Sequence, residues 1–524
     1  MQQPILYNNT YILQPHVGHL YTACIADAMA RYQKLKNPDI KIKFMVGTDE
    51  HGLKVSQSAQ KAGLDVQKFC DAISSKYKSL FDLFSIEASD FLRTTEQRHC
   101  QTAVTLWNRI ASEDLIYKET YSGWYCLADE MFVSEVYLNP QSDDTDVRYT
   151  KTGKPVQYVS EVNYKFKLSK FQKDLLHWLD NGAIVKPSMF QKELRQMILE
   201  GDVLKDISIS RPTERVSWGI PVPGDASQTM YVWFDALSSY LTCNGYPDSN
   251  FKWPPDVQII GKDILKFHGV FWPAFLIAAG LKPPKSILCH SHWLRDDEKI
   301  SKSKGNIIDP FHEVKKYTSD GFRYFLLREG VPHSDGNYTN VKIHDILNAE
   351  LANTLGNLMS RCIGRAINKE NIFPGCTQND LKSFGDASSE NLINSLQELP
   401  GLVQCSFEEF NFYQGIDAIF ATLRQTNKFI DEKKPWKIAK TPGGEEELQF
   451  VLHLALESLR VCGIVLQPII PNIAGRILDI LCVHVNNRSL KDIRPFSWES
   501  TDRSADIKLN TIESVLFRRI EAAG

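Results

Sequence analysis

The feature that most constrains this chain is an alternation of strand-like and helical runs that starts, breaks off and later resumes. From Pro4 to about Ser112, short β-branched or aromatic runs alternate with longer ones at helical period. Lys41 to Val46 reads as a strand and Leu20 to Leu35 as a helix, the pattern of a parallel α/β sheet. From about Tyr117 to Val216 the texture changes to short strand-like runs, a polar loop at Gln141 to Lys154, and a helix near Lys170 to Leu179. The α/β texture returns with Tyr231 to Leu237 and Val257 to Ile264, which predicts a split, Rossmann-type nucleotide-binding sheet with a domain inserted into it. After about Ile343 strand signals vanish. Amphipathic runs at Ile343 to Ile367, Asp417 to Lys433 and Leu448 to Ile464 predict an all-α helix bundle, with loops at Gln378 to Glu390 and at the Thr441-Pro-Gly-Gly turn. The expected organisation is 1–116 and 217–284 for the two halves of the sheet domain, 117–216 for the insert, 285–342 for a joining region and 343–524 for the bundle.

Composition narrows the partners. With 43% hydrophobic and 23% charged residues the chain is of ordinary globular make-up, and disorder or rod-like repeats are poor readings. A net charge of -3 means that any polyanion must meet a local basic surface. Between Lys285 and Arg328 there are nine Lys or Arg against six Asp or Glu, a local surplus that could offer such a surface. The eleven cysteines are spread along the chain without a CxxC pair, which fits a reducing compartment and argues against a zinc knuckle. The stretch Gly269 to Leu281 is too short to span a bilayer and no membrane anchor is expected. The first thirty residues contain no Lys or Arg, so neither a signal peptide nor a transit peptide is expected in them.

Two motifs carry chemistry. Pro15-His16-Val17-Gly18-His19-Leu20 lies where a loop meets a helix, placing His16 and His19 three apart in its first turn, beside what should be free backbone N–H groups. Such an end suits a triphosphate, with Gly18 allowing a nucleotide base close to the backbone. Far along the chain, Glu298-Lys299-Ile300-Ser301-Lys302-Ser303-Lys304-Gly305 is a basic loop able to neutralise charge growing on a departing pyrophosphate. Asp49 and His51, in Gly47-Thr-Asp-Glu-His-Gly52, follow a strand and should stand at the carboxyl edge of the sheet, where an acid can hold a substrate ammonium group.

The pair His16-Val-Gly-His19 and Lys299-Ile-Ser-Lys-Ser303, with a split sheet between, resembles the HIGH and KMSKS signatures of the class I aminoacyl-tRNA synthetases. Gly47 to Gly52, Ser217-Trp-Gly-Ile-Pro-Val-Pro-Gly224, Tyr231-Val-Trp-Phe-Asp-Ala236 and Ile260-Gly-Lys-Asp-Ile-Leu-Lys-Phe-His268 look like the methionyl branch. Gly123-Trp-Tyr-Cys126 and Gly321-Phe-Arg-Tyr-Phe-Leu-Leu-Arg328 are most similar to its short mitochondrial forms, and the likeness runs from Pro4 to about Leu481.

The resemblance implies methionine activation by ATP with Mg2+, then transfer to tRNA(Met), by a monomer in the mitochondrial matrix. His16, His19, Lys299 and Lys302 would be catalytic, and Gly18, Asp263, Ser301 and Ser303 would join them around ATP. Asp49 would hold the amino group, and the thioether would lie among Tyr7, Val232, Trp233, Ala236, Leu237, Tyr240, Ile260, Gly261, Phe267, His268 and Trp272. Asn357, Arg361 and Trp436 would read the anticodon, and 285–342 would touch the inner tRNA stem.

The chain departs from the pattern in three places. Met1-Gln2-Gln3 alone precede Pro4, and seven residues separate Tyr7 from Pro15, so the first strand is expected to be damaged, with Tyr11 as a substitute for Tyr7. Ile300 replaces the Met of KMSKS, a volume-conserving exchange. The region around Cys126 lacks the cysteines with which bacterial relatives hold zinc, and no metal is expected there. Two other readings share some of these features: a synthetase for a different apolar amino acid, whose editing domain would need a longer insert, and a tRNA-binding regulator without catalysis.

Overall fold

A computed structural model describes residues 5–11, 14–126, 131–133, 138–139, 148–151, 153–249, 251–300, 305–493, 505–511 and 514–521, the strand 5–11 by its backbone alone. The interrupted alternation folds as a six-stranded, all-parallel sheet. β1 (Ile5–Tyr11), β2 (Lys43–Asp49) and β3 (Asp90–Arg93) come from before the insert, and Val257–Gly261 and Ile287–His290 from after it. β1 lies between β2 and Val257–Gly261, in register with β2 from Ile5 opposite Lys43 to Tyr11 opposite Asp49. The first strand is therefore in place at the centre of the sheet, where damage was expected. Strands covered on both faces need continuous apolar runs; Phe44-Met-Val46, Ile259-Ile260 and Ile287-Leu-Cys289 supply them and are all buried. α1 (Val17–Lys36) crosses the sheet with Leu20, Cys24, Ile25, Ala28 and Tyr32 buried, Tyr32 edge-on to Phe407 of the helical third. The strand order reverses at β1, which leaves a crevice at the carboxyl ends of β1, β2 and Val257–Gly261, the place where such sheets bind ligands.

The stretch 117–216 divides in two. Ile116–Cys126 and Pro155–Phe166 pair antiparallel over their whole length and form the separate insert sheet. Residues 172–200 return to the main body: Leu175, Leu179, Phe190, Leu194 and Ile198 pack into the core under the parallel sheet, and Val185–Lys186 becomes its edge strand beside Ile287-Leu288. A two-residue strand carries no periodicity, so the sequence pattern could not announce it.

The last third is helical, with long helices at Ala387–Glu408, Phe412–Lys433 and Glu445–Leu466. Gln378 to Glu390, expected as a loop, instead holds the helix Gln378–Phe384 and the start of the next. Its polar residues are caps: Thr377 and Asp380 form a reciprocal capping box, and Asp386 accepts from Ser389 N–H. Glu445–Leu466 is, among the described residues, the one helix long and apolar enough to cross a bilayer, and 89% of its apolar window is buried within the bundle.

A fully buried Arg323 joins the parallel sheet's domain to the bundle. Its guanidinium pairs with Asp27 of α1 at 2.7 Å and donates to the carbonyls of Phe84, Pro468 and Ile469. Arg328 pairs with Glu350 and Asp417, and Lys285 with Asp256. The basic surplus counted in 285–328 is thus partly consumed inside the molecule.

Candidate active site

His16 caps α1 in extended conformation, its Nδ1 accepting from Gly18 N–H at 3.1 Å, while His19 Nδ1 accepts from His16 N–H at 3.3 Å. The two imidazoles form a capping box of a kind usually built from Ser and Glu. Their rings stack with centroids 3.7 Å apart. The Tyr77 hydroxyl, kept protonated by burial, lies 2.9 Å from His19 Nδ1 and donates to it. A backbone N–H can only donate, so both Nδ1 atoms are acceptors and both histidines carry their proton on Nε2 when neutral. The free N–H groups expected in this turn are not there: Val17 N–H donates to Ile308 O at 3.2 Å, and His19 N–H to His16 O. What the helix end offers an anion is its positive potential and two Nε2–H donors. The bond from Val17 also ties this turn to Ile308, just beyond the KISKS loop.

Asp49 ends β2, buried, opposite Tyr11. The turn that follows is held from across the insertion. Trp218 Nε1–H donates to Glu50 O at 2.7 Å and Trp218 O accepts from Gly52 N–H at 3.0 Å. The Glu50 carboxylate, fully buried, accepts from Thr48, Ser74, Arg93 and Thr95. The Ser217-Trp-Gly block is thus a strut for the turn bearing Asp49 and His51.

The aromatic residues assigned to the amino-acid slot come together between the helix Val232–Cys243 and the segment Phe267–Ala278. Trp233 and Phe267 stack at 3.8 Å and 11°, and Tyr240 lies 5.8 Å from Trp272. His268 Nδ1–H donates to Ile264 O at 3.0 Å, so its Nε2 accepts from the Tyr240 hydroxyl at 2.6 Å. Burial lowers the His268 pKa to about 4, which keeps the ring neutral. Phe267–Phe271 forms a π-helical turn, a distortion common at functional sites, and it sets Phe267 and His268 toward the Trp233 and Tyr240 rings. Val232, Ala236, Leu237 and Ile260 are buried around this cluster, and a Cβ on Gly261 would sit 3.7 Å from the His290 and His292 rings. Tyr7 stands opposite Gln258 in the sheet, and its side chain lies outside the described residues.

Asp263 follows Gly261 at the adjoining strand end. Although Asp263 is exposed, a contact with His292 at 3.1 Å, together with the charges of Lys299 and Lys154, lowers its carboxyl pKa to about 2. Lys299 itself is exposed on a short strand pairing with Trp293–Arg295. Ser301, Lys302 and Ser303 lie outside the described residues. Residues that sequence reasoning missed include Tyr77, His99, Lys154, Asp235 and His292, each distant in the chain from the motif it supports; only the fold brings them there. In the bundle, Arg361 lies over the Trp436 ring at 5.4 Å and pairs with Asp431; Trp436 is 37% exposed and Asn357 is exposed one helical turn from Arg361. Around Cys126, which is buried, the structure describes only part of the chain, and no group of three metal-ligating side chains occurs among the described residues.

The reversed sheet order, the histidine-capped helix at the switch point and the strand Glu298–Lys299, whose lysine charge acts on Asp263, are the arrangement of a class I aminoacyl-tRNA synthetase. Residues 2–363 match the family model described as tRNA synthetases class I (M). The chain is 43% identical to the human mitochondrial methionine–tRNA ligase over 94% of its own length and 85% of that protein. It is 38% identical to the probable mitochondrial methionine–tRNA ligase of Dictyostelium discoideum, over 98% of this chain and 91% of that protein. Among solved structures, Mycobacterium tuberculosis methionyl-tRNA synthetase bound by methionyl-adenylate superposes with a TM-score of 0.90 at 32% identity, covering 99% of this chain and 100% of that one. The chain belongs to the methionyl-tRNA synthetase family.

Proposed function

We propose that this protein is a methionine–tRNA ligase of mitochondrial translation: it joins methionine to ATP as methionyl adenylate, releasing diphosphate, and passes the methionyl group to tRNA(Met). The reading is carried by the crevice at the strand-order reversal, where the histidine-capped helix, Asp49, Asp263 and the aromatic slot converge. Methionine carboxylate attacks the α-phosphorus of ATP and diphosphate leaves, so no protein nucleophile is needed. Catalysis rests on placement and on charge. His16 and His19 present Nε2–H donors to the phosphates, with Gly18 between them. Lys299 and Lys302, helped by Ser301 and Ser303, meet the charge that grows on the departing diphosphate, and Mg2+ accompanies ATP on that group. Asp263 faces the ribose. Asp49 holds the substrate ammonium, and the slot from Val232 to Trp272, with Ile260 and Tyr7 or Tyr11, takes the thioether by dispersion.

Asn357, Arg361 and Trp436 read the anticodon by hydrogen bonding and stacking, with 285–342 along the inner stem. The protein works as a monomer in the mitochondrial matrix, without membrane attachment or structural zinc. The regions 1–116, 117–216, 217–284, 285–342 and 343–524 serve as functional units, although part of the second packs with the sheet. Methionine-dependent exchange between ATP and pyrophosphate, followed by charging of tRNA(Met) transcript, tests the reading. Exchange with leucine or isoleucine in place of methionine, or no exchange in a protein that binds tRNA, would replace it by one of the two alternatives.

A further inference from the structure

Behind the amino-acid slot lies a buried carboxylate with two imidazole donors. Asp235 is 1% exposed; His51 Nδ1 and His99 Nε2 lie 2.6 Å from its two oxygens. His99 is also fully buried, and its Nδ1 lies 3.0 Å from Thr242 Oγ1. Burial raises the Asp235 pKa, but the two imidazoles outweigh it and hold the carboxyl below the usual carboxylate range. An ionised carboxylate only accepts, so His51 carries its proton on Nδ1 and His99 on Nε2.

The three residues come from the turn two residues past Asp49, the helix Gln97–Ser112 and the helix Val232–Cys243. On the last helix, residues 233, 236, 237 and 240 share the face toward the slot, while 235 and 242 lie on the side turned away from it. The Asp235 carboxylate therefore ties the back of the slot helix to the turn that carries Asp49.

Two charged hydrogen bonds in a dry interior are directional and short, whereas apolar packing at the same place would hold the two elements together without fixing their spacing. We infer that Asp235, through His51 and His99, is a positioning residue for methionine. It sets the separation between the carboxylate that meets the substrate ammonium and the aromatic rings that meet its thioether. This inference rests on the ligase reading above.

The test uses the full chain and the pyrophosphate exchange assay, with methionine and ATP varied in turn. Wild-type exchange alone examines the ligase reading; ratios of variant to wild type examine Asp235. His99→Phe keeps a buried ring and removes both nitrogens. It should raise KM for methionine about tenfold, the scale of one buried donor lost, and leave kcat and KM for ATP within about twofold. His99→Gln, whose side-chain amide can still donate to the carboxylate, should recover most of the methionine KM. Asp235→Asn should move the same constant in the same direction, and thermal unfolding of each variant reports whether it is folded. An unchanged methionine KM in His99→Phe overturns the inference. So does a loss spread equally over kcat and both KM values, or a failure of His99→Gln to differ from His99→Phe.

Discussion

Replacing Gly18 by alanine separates two reasons for a glycine in the first turn of α1. One is that a nucleotide base approaches the backbone there; the other is the histidine cap. A Cβ built on Gly18 would lie 3.0 Å from His16 Cε1 and 3.2 Å from Nδ1. Carbon atoms pack at about 3.5–4.0 Å, so the His16 ring must swing away by several tenths of an ångström. That movement weakens the 3.1 Å bond from Gly18 N–H, worth about 0.5–2 kcal/mol as a cap, and the 3.7 Å stack on His19, worth about 0.5–1.5 kcal/mol. If the two rings act on phosphate in the transition state, a loss of about 1–3 kcal/mol slows adenylate formation about 5- to 150-fold. Alanine is a better helix former than glycine by about 1 kcal/mol, which offsets part of that loss, and thermal unfolding of the variant shows that the protein assayed is folded. The assay is pyrophosphate exchange at saturating methionine, with adenosine as a competitive inhibitor. Gly18→Ala should lower kcat while the adenosine inhibition constant stays within about threefold. A normal kcat with weakened adenosine binding would show that the glycine serves the base, and the cap argument would fail.

Asp49→Asn should raise KM for methionine about tenfold or more, because the bound ammonium loses its counter-charge; an effect confined to ATP would mean that the carboxylate serves the nucleotide. Trp436→Ala should cost about 1–3 kcal/mol in tRNA charging and leave pyrophosphate exchange untouched, whereas parallel losses with a lower unfolding temperature would make Trp436 a packing residue. Burial lowers His268 and His290 to about 4 from the ordinary 6.5, so the unfolded chain binds their protons first as pH falls. The stability they confer is complete above about pH 6.5 and drains away toward pH 4, at about 1.4 kcal/mol per unit for each ring. Unfolding midpoints between pH 7 and 5 should drop less steeply in His290→Gln than in the wild type, and identical slopes would refute the assignment.

Much of the architecture was legible because it rests on period and order. Buried parallel strands such as Phe44 to Val46 and Ile259-Ile260 announce themselves as apolar runs, and α1 by its repeat. Residues 172–200 read as part of the insert although they pack with the sheet, because a strand of two residues, Val185–Lys186, has no period to detect. Gln378 to Glu390 was taken for a loop because capping residues and loop residues share a composition; Thr377 and Asp380 differ from loop residues only in their spacing. At the site, motif residues such as His16, Asp49 and Asp263 were visible, and their supports were not. Nothing near His19 in the sequence points to Tyr77, which reaches it from the helix Val66–Leu83, and nothing near Asp49 points to Trp218 or Asp235, which lie beyond the insert. The first turn of α1 shows the limit from the other side: two histidines three apart suggested open N–H groups, and those of His16 and Gly18 are closed by the same two side chains while that of Val17 is closed by Ile308.

The Arg323 junction bears on how such a protein can be taken apart. A charge with no exposed surface draws its partners from α1 and Phe84 on one side and from Pro468 and Ile469 on the other. A catalytic fragment ending near Ile343 would keep the arginine and Asp27 but lose two of the carbonyls, leaving part of a guanidinium unsolvated in an opened core. Swapping the helical third for that of a relative would succeed only where the incoming chain offers carbonyls at the same two points. The helical third is thus not a detachable accessory: it completes the hydrogen bonding of a charge buried at its seam with the sheet.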